Sequence, residues 1–226
     1  MKVSIVIPVI NEAGQIREAI DRAWESGADQ VVVVDGGSSD ETWSIAQSAR
    51  CLLVKSKPGR AIQMNRGAAI CDGDVIVFLH ADNWICKDAC DQIRAALECG
   101  QYGFGAFQQK IVCDDWIFRL IESGNQIRVK WQGLIYGDQA FFIRSDWFEE
   151  AGCFPEIELM EDFALSRKLR EMGRPVLVPG PTFVSPRRWK KAGPIRQTLR
   201  NWILSLAYRM GASPQWLAGK YRRHDR

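Results

Sequence analysis

No run in the 226 residues stays apolar for the about 20 positions that a bilayer-spanning helix needs. The chain opens Met1-Lys2-Val3-Ser4-Ile5 with a strand pattern instead of a signal peptide, so the expectation is a protein made and kept in the cytoplasm. The Gly-x-Gly-x-x-Gly arrangement of dinucleotide folds is absent, and so is the Lys-Ser/Thr ending of a phosphate-binding P-loop, which removes support for an NAD or Walker-type ATP site. No helix-turn-helix, zinc finger or aromatic RNA-binding motif speaks for nucleic acid. Cysteines 51, 71, 86, 90, 99, 113 and 153 are odd in number and scattered through expected helices and strands, which argues against a disulfide framework. Cys86 and Cys90 are four apart but have no second Cys/His pair of zinc spacing, and they read as small buried hydrophobes.

What is present is a chain that is 46% hydrophobic and 25% charged, within the range of one domain with a full core. Val3 to Val9, Val31 to Val34, Cys51 to Ser56 and Val75 to Leu79 read as strands. Helices read from Ile16 to near Gly27, from Ser38 (spaced from Glu41 like a capping box) to Ala49, and from Arg60 to Cys71. Strand and helix thus alternate with short connections, and the expected class is α/β, with a mostly parallel central sheet covered on both faces. After Asn83 the rhythm changes. Asp88 to Cys99, Asp115 to Val129, Ser145 to Ala151 and Glu161 to Met172 read as helices, Phe104 to Val112 as an exposed strand, Gln139 to Arg144 as another, and Pro175 to Val178 and Thr182 to Ser185 as two short strands. With no internal repeat, the chain divides only into a first half, 1–84, a second, 85–189, and a basic tail, 190–226.

From Arg187 to Arg226 there are eleven Lys or Arg and one acidic residue, a net +10 that leaves −7 for the rest of a chain of formal charge +3. Such asymmetry points to an anionic partner. Ile195, Leu199, Trp202, Ile203, Leu206 and Met210 form one stripe flanked by Arg196, Arg200 and Arg209. The stripe either packs on the sheet, joins two copies as a homodimer, or lies in a membrane interface as part of a peripheral contact spanning 193–223.

Candidate chemistry gathers at strand ends. Asp35 closes the second strand and precedes two glycines; it can accept hydrogen bonds from a ribose or base, or simply shape an Asp-Gly turn. Lys57-Pro58-Gly59-Arg60 leads into a helix and can meet a diphosphate or remain a solvated loop. His80 and Asp82 follow the fourth strand and share a side if that segment is extended. Asp82 suits a hard cation carrying phosphates, while His80 is a second ligand, a polar group near a ribose, or an ordinary bonded histidine. Glu161-Asp162 starts a helix, where the dipole favours the ionised carboxylate; the pair is either a proton acceptor or a cap. Gly137-Asp138-Gln139 precedes a strand and either faces a substrate or forms a turn.

Ile5-Val6-Ile7-Pro8-Val9-Ile10-Asn11-Glu12, Val33 to Thr42, Gly59-Arg60-Ala61 with Asn65-Arg66-Gly67-Ala68, Phe78-Leu79-His80-Ala81-Asp82 and Glu161-Asp162 resemble, in that order, the motifs of family 2 nucleotide-sugar glycosyltransferases. More narrowly, the chain resembles short, stand-alone bacterial members with His-Ala-Asp in place of Asp-x-Asp. The resemblance covers residues 5 to 162 and weakens after Trp189. It implies a GT-A fold, a nucleoside-diphosphate sugar donor, Mg²⁺ or Mn²⁺ as cofactor, and inverting transfer to a small or lipid-linked acceptor. By the same resemblance Pro8 and Glu12 line the nucleoside pocket, Asp35 binds the base, Arg60 approaches base or phosphate, Asp82 holds the metal with His80 beside it, and Asp162 is the general base next to Glu161. Residues 1–84 become the nucleotide half and 85–189 the acceptor half. Gly137, Asp138, Gln139, Arg188 and Trp189 stand on the acceptor side, the last two within Pro186-Arg187-Arg188-Trp189, a reduced counterpart of the family's Gln-x-x-Arg-Trp. A sugar nucleotidyltransferase would need a glycine-rich N-terminal loop where Pro-Val-Ile-Asn-Glu stands. A non-catalytic anion- or membrane-binding module is the other alternative.

Overall fold

The computed structural model describes residues 1–222; residues 223–226 and the side chains of Arg188, Lys191, Ala192 and Arg222 lie outside the description. The chain runs β1 (Val3–Val9), α1 (Ile16–Glu25), β2 (Gln30–Asp35), α2 (Thr42–Gln47), β3 (Leu52–Lys55), α3 (Arg60–Ala68), β4 (Val75–Phe78), β5 (Asn83–Ile85), α4 (Ala89–Glu98) and β6 (Phe104–Ile111). It continues with α5 (Trp116–Ile127), a π-helical turn Arg128–Gln132, a 3₁₀ turn Gly137–Gln139, β7 (Phe141–Arg144), α6 (Ser145–Glu150), α7 (Glu161–Met172), β8 (Val176–Val184), α8 (Arg187–Ala192), α9 (Pro194–Arg209) and α10 (Pro214–Arg222).

Eight strands form one sheet in the order β3-β2-β1-β4-β7-β6-β8-β5. The first four are parallel. β7 turns antiparallel to β4, β6 to β7 and β5 to β8, while β6 and β8 run parallel. The expected mostly parallel sheet therefore holds for the first half, and the whole is mixed. Valine-rich β1, β2 and β4 are continuous apolar runs because both faces are covered. Ile5, Ile7, Val33 and Val77 pack under Ile16, Ile20 and Ile93 on one face. Val6, Val34, Ile76 and Phe78 meet Met64, Phe148 and Leu165 on the other. The chain builds outward from β1 to β3, then returns to place β4 on the other side of β1. That reversal opens a crevice at the carboxyl ends of β1 and β4.

The second half departs from the sequence pattern in several places. Phe104 to Phe107 are all buried, because β6 lies inside the sheet and is not an exposed strand. Gly105 makes this fit possible: a Cβ there would stand 2.3 Å from the Val176 carbonyl oxygen. The two short strands expected near 175–185 are one strand, β8, whose register against β6 shifts between Phe107 and Gln109. β5 was not expected; the chain turns through His80 to Asp82, with Asn83 N–H donating to the His80 carbonyl at 3.0 Å, and runs back along β8. His80 and Asp82 thus sit in a turn instead of an extended segment. The Ser38–Glu41 capping box is absent, because Ser38 is bonded to Asp35 and α2 begins at Thr42.

Helix α9 is inverted relative to a core-packing helix. Gln197, Leu204 and Ser205 are buried, while Ile195, Leu199, Trp202, Ile203, Leu206 and Met210 are exposed. The stripe that was a candidate for packing on the sheet faces outward, and the helix sets its polar side against the domain.

Candidate active site

Asp162 is the second residue of α7 and Arg60 the first of α3, so two helix starts converge over the crevice. Both acidic residues of the Glu161-Asp162 pair are buried, at 1% and 7% exposure. Arg60 Nε donates to Glu161 Oε1 in a close ion pair, and its Nη2 lies 3.9 Å from Asp162 Oδ2. The Gly137 N–H donates to Asp162 Oδ2 at 2.7 Å, and the Phe163 N–H to Oδ1 at 2.7 Å. Burial, reinforced by the Glu161 charge, pushes the Asp162 carboxyl up to about 6 against the opposing pull of Arg60 and the two N–H groups. The dipole argument alone favoured a lowered value; desolvation outweighs it here. A carboxylate balanced near neutral pH, with its oxygens fixed, is suited to accept a proton from a weak nucleophile.

Around Asp162 opens a cavity of about 210 Å³. His80, Asp82, Gly137, Asp138 and Trp189 line it, as do Arg60 and Asp162 themselves. His80 lies against the Gly137 backbone: a Cβ on Gly137 would be 2.7 Å from His80 Nε2. Asp138 Oδ2 accepts from Gln109 Nε2 at 2.8 Å, while its Oδ1 is buried with no hydrogen-bond partner. Gln139 is wholly buried, and its Oε1 accepts from Arg128 Nη2 at 2.7 Å and from the Tyr136 N–H at 3.3 Å. Trp189 packs edge-on to Phe118 and donates from Nε1 to Thr198 Oγ1 at 3.3 Å. The Arg188 side chain lies outside the described residues.

The remaining sequence candidates stand apart from this cavity. Pro8 borders a small adjoining void with Arg60, His80 and Glu161. The Asp35 carboxylate is buried and uses Oδ1 to accept from the N–H and hydroxyl of Ser38, at 3.0 and 2.6 Å, so it does shape the turn. The Glu12 N–H donates to Thr42 Oγ1 at 2.7 Å. These loops are stitched together by Asn11, whose N–H donates to Ser38 Oγ and whose Oδ1 accepts from the Ser39 N–H at 2.8 Å. Arg60 faces the Glu-Asp pair and lines the main cavity with Asp82.

Arg187, from the Pro186 to Trp189 segment, also lines the cavity, and so do Tyr136, Gln197, Asn201 and Tyr221, which were not anticipated. The signal for Gln197 and Asn201 was their i, i+4 spacing opposite the apolar stripe of α9. Tyr136 and Tyr221 carried no local signal.

Among the described residues no group of three or more His, Cys, Asp or Glu is placed to hold a metal ion. Asp82 and His80 nonetheless share the cavity wall, a donor set that fits an ion completed by phosphate oxygens and water rather than a closed protein cage.

The model of the family described as glycosyl transferase family 2 matches residues 4–152. The chain belongs to that family. An uncharacterized glycosyltransferase of Rickettsia bellii is 37% identical over 94 residues, covering 41% of this chain and 32% of that protein. The glucosyl-3-phosphoglycerate synthase of Mycobacterium tuberculosis is 32% identical over 92 residues, covering 35% of this chain and 28% of that one. Each match thus spans about a third or less of the relative's length. Among solved structures, S. aureus TarS 1–349 in complex with UDP-GlcNAc superposes with a TM-score of 0.65 at 19% identity, over 82% of this chain and 58% of that one. At that identity the likeness shows the fold, the α/β GT-A architecture of these glycosyltransferases.

Proposed function

We propose that the protein is an inverting glycosyltransferase, moving one sugar from a nucleoside-diphosphate donor to a hydroxyl acceptor, with Asp162 as general base. The observation that carries this reading is the buried Asp162 carboxylate, pushed up to about 6 and aimed by Gly137 and Phe163 into a cavity shared with Asp82. The acceptor O–H gives its proton to Asp162 as its oxygen attacks the anomeric carbon. The carbon–oxygen bond to the diphosphate breaks on the opposite face, and the nucleoside diphosphate leaves with the electron pair. Asp138 and Trp189, which line the cavity, stand on the acceptor side. Asp82, with His80 next to it, would hold Mg²⁺ or Mn²⁺ against the diphosphate, where the ion offsets charge on the leaving oxygen. Pro8, Glu12, Asp35 and the adjoining loops receive the nucleoside.

Family membership and the UDP-GlcNAc complex of TarS support a nucleotide-sugar donor. No helix among the described residues is long and apolar enough to cross a membrane. The proposed setting is the cytoplasm, with the outward stripe of α9 supporting peripheral contact with the membrane's inner face and an acceptor that is small or lipid-linked.

A thermal-shift screen of UDP-, GDP- and dTDP-sugars with Mg²⁺ or Mn²⁺ tests the donor, and Asp162→Asn tests the base. The expected result is nucleotide stabilisation in both proteins and transfer only in the wild type. Full transfer by Asp162→Asn sinks the base assignment, and no response to any nucleotide favours a non-catalytic anion-binding module.

A further inference from the structure

The large apolar side chains that the fold leaves exposed are not scattered. Among the described residues, Trp116 and Leu120 on α5 and Trp131 on the following turn are 72%, 61% and 82% exposed. On α9, Leu199, Trp202 and Leu206 are 52%, 61% and 58% exposed. Spacings of four between Trp116 and Leu120, and of three, four and seven along α9, put each set on one side of its helix. Ile127, seven residues on from Leu120, joins Trp202 and Leu206 of the second stripe in lining a groove of about 330 Å³ between α5 and α9. Contiguous exposed apolar surface of this kind marks a binding face.

The charge around it has one sign. Helices α5 and α9 with the π-helical turn, which line the groove, carry six Lys or Arg and one acidic residue, Glu122. Glu122 is buried, accepts from the Ile111 N–H, and is paired with Arg119 at 3.0 Å. Two copies meeting through this face would set cation against cation across a two-fold interface. An anionic partner meets no such penalty.

The groove also carries two cations. Arg128 and Arg209 both line it. Arg128 stacks on Tyr136 with its Cζ 3.7 Å from the ring centroid, and Arg209 Nη2 donates to Gln132 Oε1 at 2.6 Å. Burial holds the Arg128 guanidinium below its usual range and Arg209 acts in the same direction, with Tyr136, Asp138 and Asp162 offsetting part of that. An anion entering beside Arg128 would relieve it. Tyr136 also belongs to the active-site cavity, and its hydroxyl donates to Ser205 Oγ at 2.8 Å, so this pair forms a wall between groove and cavity.

We infer that the α5–α9 face docks on an anionic lipid bilayer, seating a lipid phosphate between Arg128 and Arg209 with its chain between Ile127, Trp202 and Leu206. This deepens the transfer reading and rests on it in one respect: it selects a membrane surface as the place from which the acceptor reaches Asp162. The face extends beyond the basic tail, since α5 and the turn after it supply Trp116, Leu120, Ile127 and Trp131.

The test is co-sedimentation of the full chain with phosphatidylcholine vesicles and with vesicles that also contain phosphatidylglycerol. Binding is expected only to the anionic vesicles and should weaken as salt screens the charges. Trp202→Glu and Leu206→Glu, both at exposed positions, should each lower partitioning at least about tenfold. Arg209→Ala should lower it about fivefold. Circular dichroism, and thermal shift by nucleotide sugar without lipid, should be unchanged in the two Glu variants. Equal binding of wild type and variants, or equal binding to neutral vesicles, overturns the docking site. So does stabilisation by inorganic phosphate without vesicle binding, which would mark a free-anion site. A dimer in sedimentation velocity that Trp202→Glu disperses would reassign the face to a second copy. Because nucleotide response is read without lipid, its loss with vesicle binding retained counts against the transfer reading alone.

Discussion

Arg60 at the start of α3 and Glu161 at the start of α7, 101 residues apart, form the ion pair that ties the two halves of the chain together at the site. Glu161 is 1% exposed, so removing Arg60 leaves a buried charge without its partner, whereas Arg60 itself keeps about a third of its side chain in solvent. Arg60→Met should therefore cost roughly 3 kcal/mol, the low end for breaking a buried pair. For a chain of this length that is a fall of about 6–12 °C in melting temperature. Thermal denaturation by circular dichroism checks it, and an unchanged melting point would mean that the pair is dispensable.

The pH dependence follows from Asp162. Its folded value, about 6, lies above the ordinary 3.8, so the folded chain holds this proton more tightly than the unfolded chain does. Activity requires the carboxylate, and kcat/KM should fall on the acid side with an apparent pKa near 6. Stability runs the other way: the contribution of this group is present below 3.8 and lost as pH rises through about 6. Asp162→Asn should therefore gain melting temperature relative to wild type above pH 6, with the difference fading toward 3.8. Parallel melting curves for the two proteins across that window would refute the assignment.

The sequence reads well where one residue's environment comes from its own strand or helix. The valine runs of β1, β2 and β4 announce burial on both faces, and Asp82, His80 and Asp162 follow from their places at element ends. It reads poorly where distant segments decide the outcome. Gln109 looks like the polar phase of an exposed strand, yet it is buried because Asp138 and Asn125, 29 and 16 residues away, supply its partners. The ion pair of Arg60 with Glu161, 101 residues away, has no local signal. The stripe of α9 satisfies the pattern for a core helix, and only the packing of Gln197 and Ser205 against the domain shows that it faces outward.

Gly67 marks the closest approach of α3 to the sheet. A Cβ there would stand 2.4 Å from Val6 Cγ1 and 3.0 Å from Val34 Cγ2, both buried in the centre of their strands. Gly67→Ala should gain about 1 kcal/mol in helix propensity and lose about 1–3 kcal/mol to overpacking. A net loss in urea denaturation is expected. Adding Val6→Ala makes room for the new methyl, so the double variant should be more stable than the sum of the single effects. Strict additivity would show that the helix shifts instead of straining.

Gly137 is where a methyl group should affect chemistry more than stability. Its N–H fixes Asp162 Oδ2, and a Cβ there would stand 2.7 Å from His80 Nε2 but 3.6 Å from that oxygen, which is ordinary contact. Gly137→Ala must therefore displace the His80 side chain while leaving the carboxylate room. Misplacement of about 1 Å at a reacting centre costs on the order of 100-fold, so kcat should fall by about 10- to 100-fold. The melting temperature should change little, because the ring can turn into the cavity. Combining it with His80→Ala separates the causes. If the displaced imidazole obstructs the donor, the double variant recovers nucleotide-sugar binding over Gly137→Ala alone. If His80 helps to hold the cation, the double variant instead needs more Mn²⁺ for the same thermal shift.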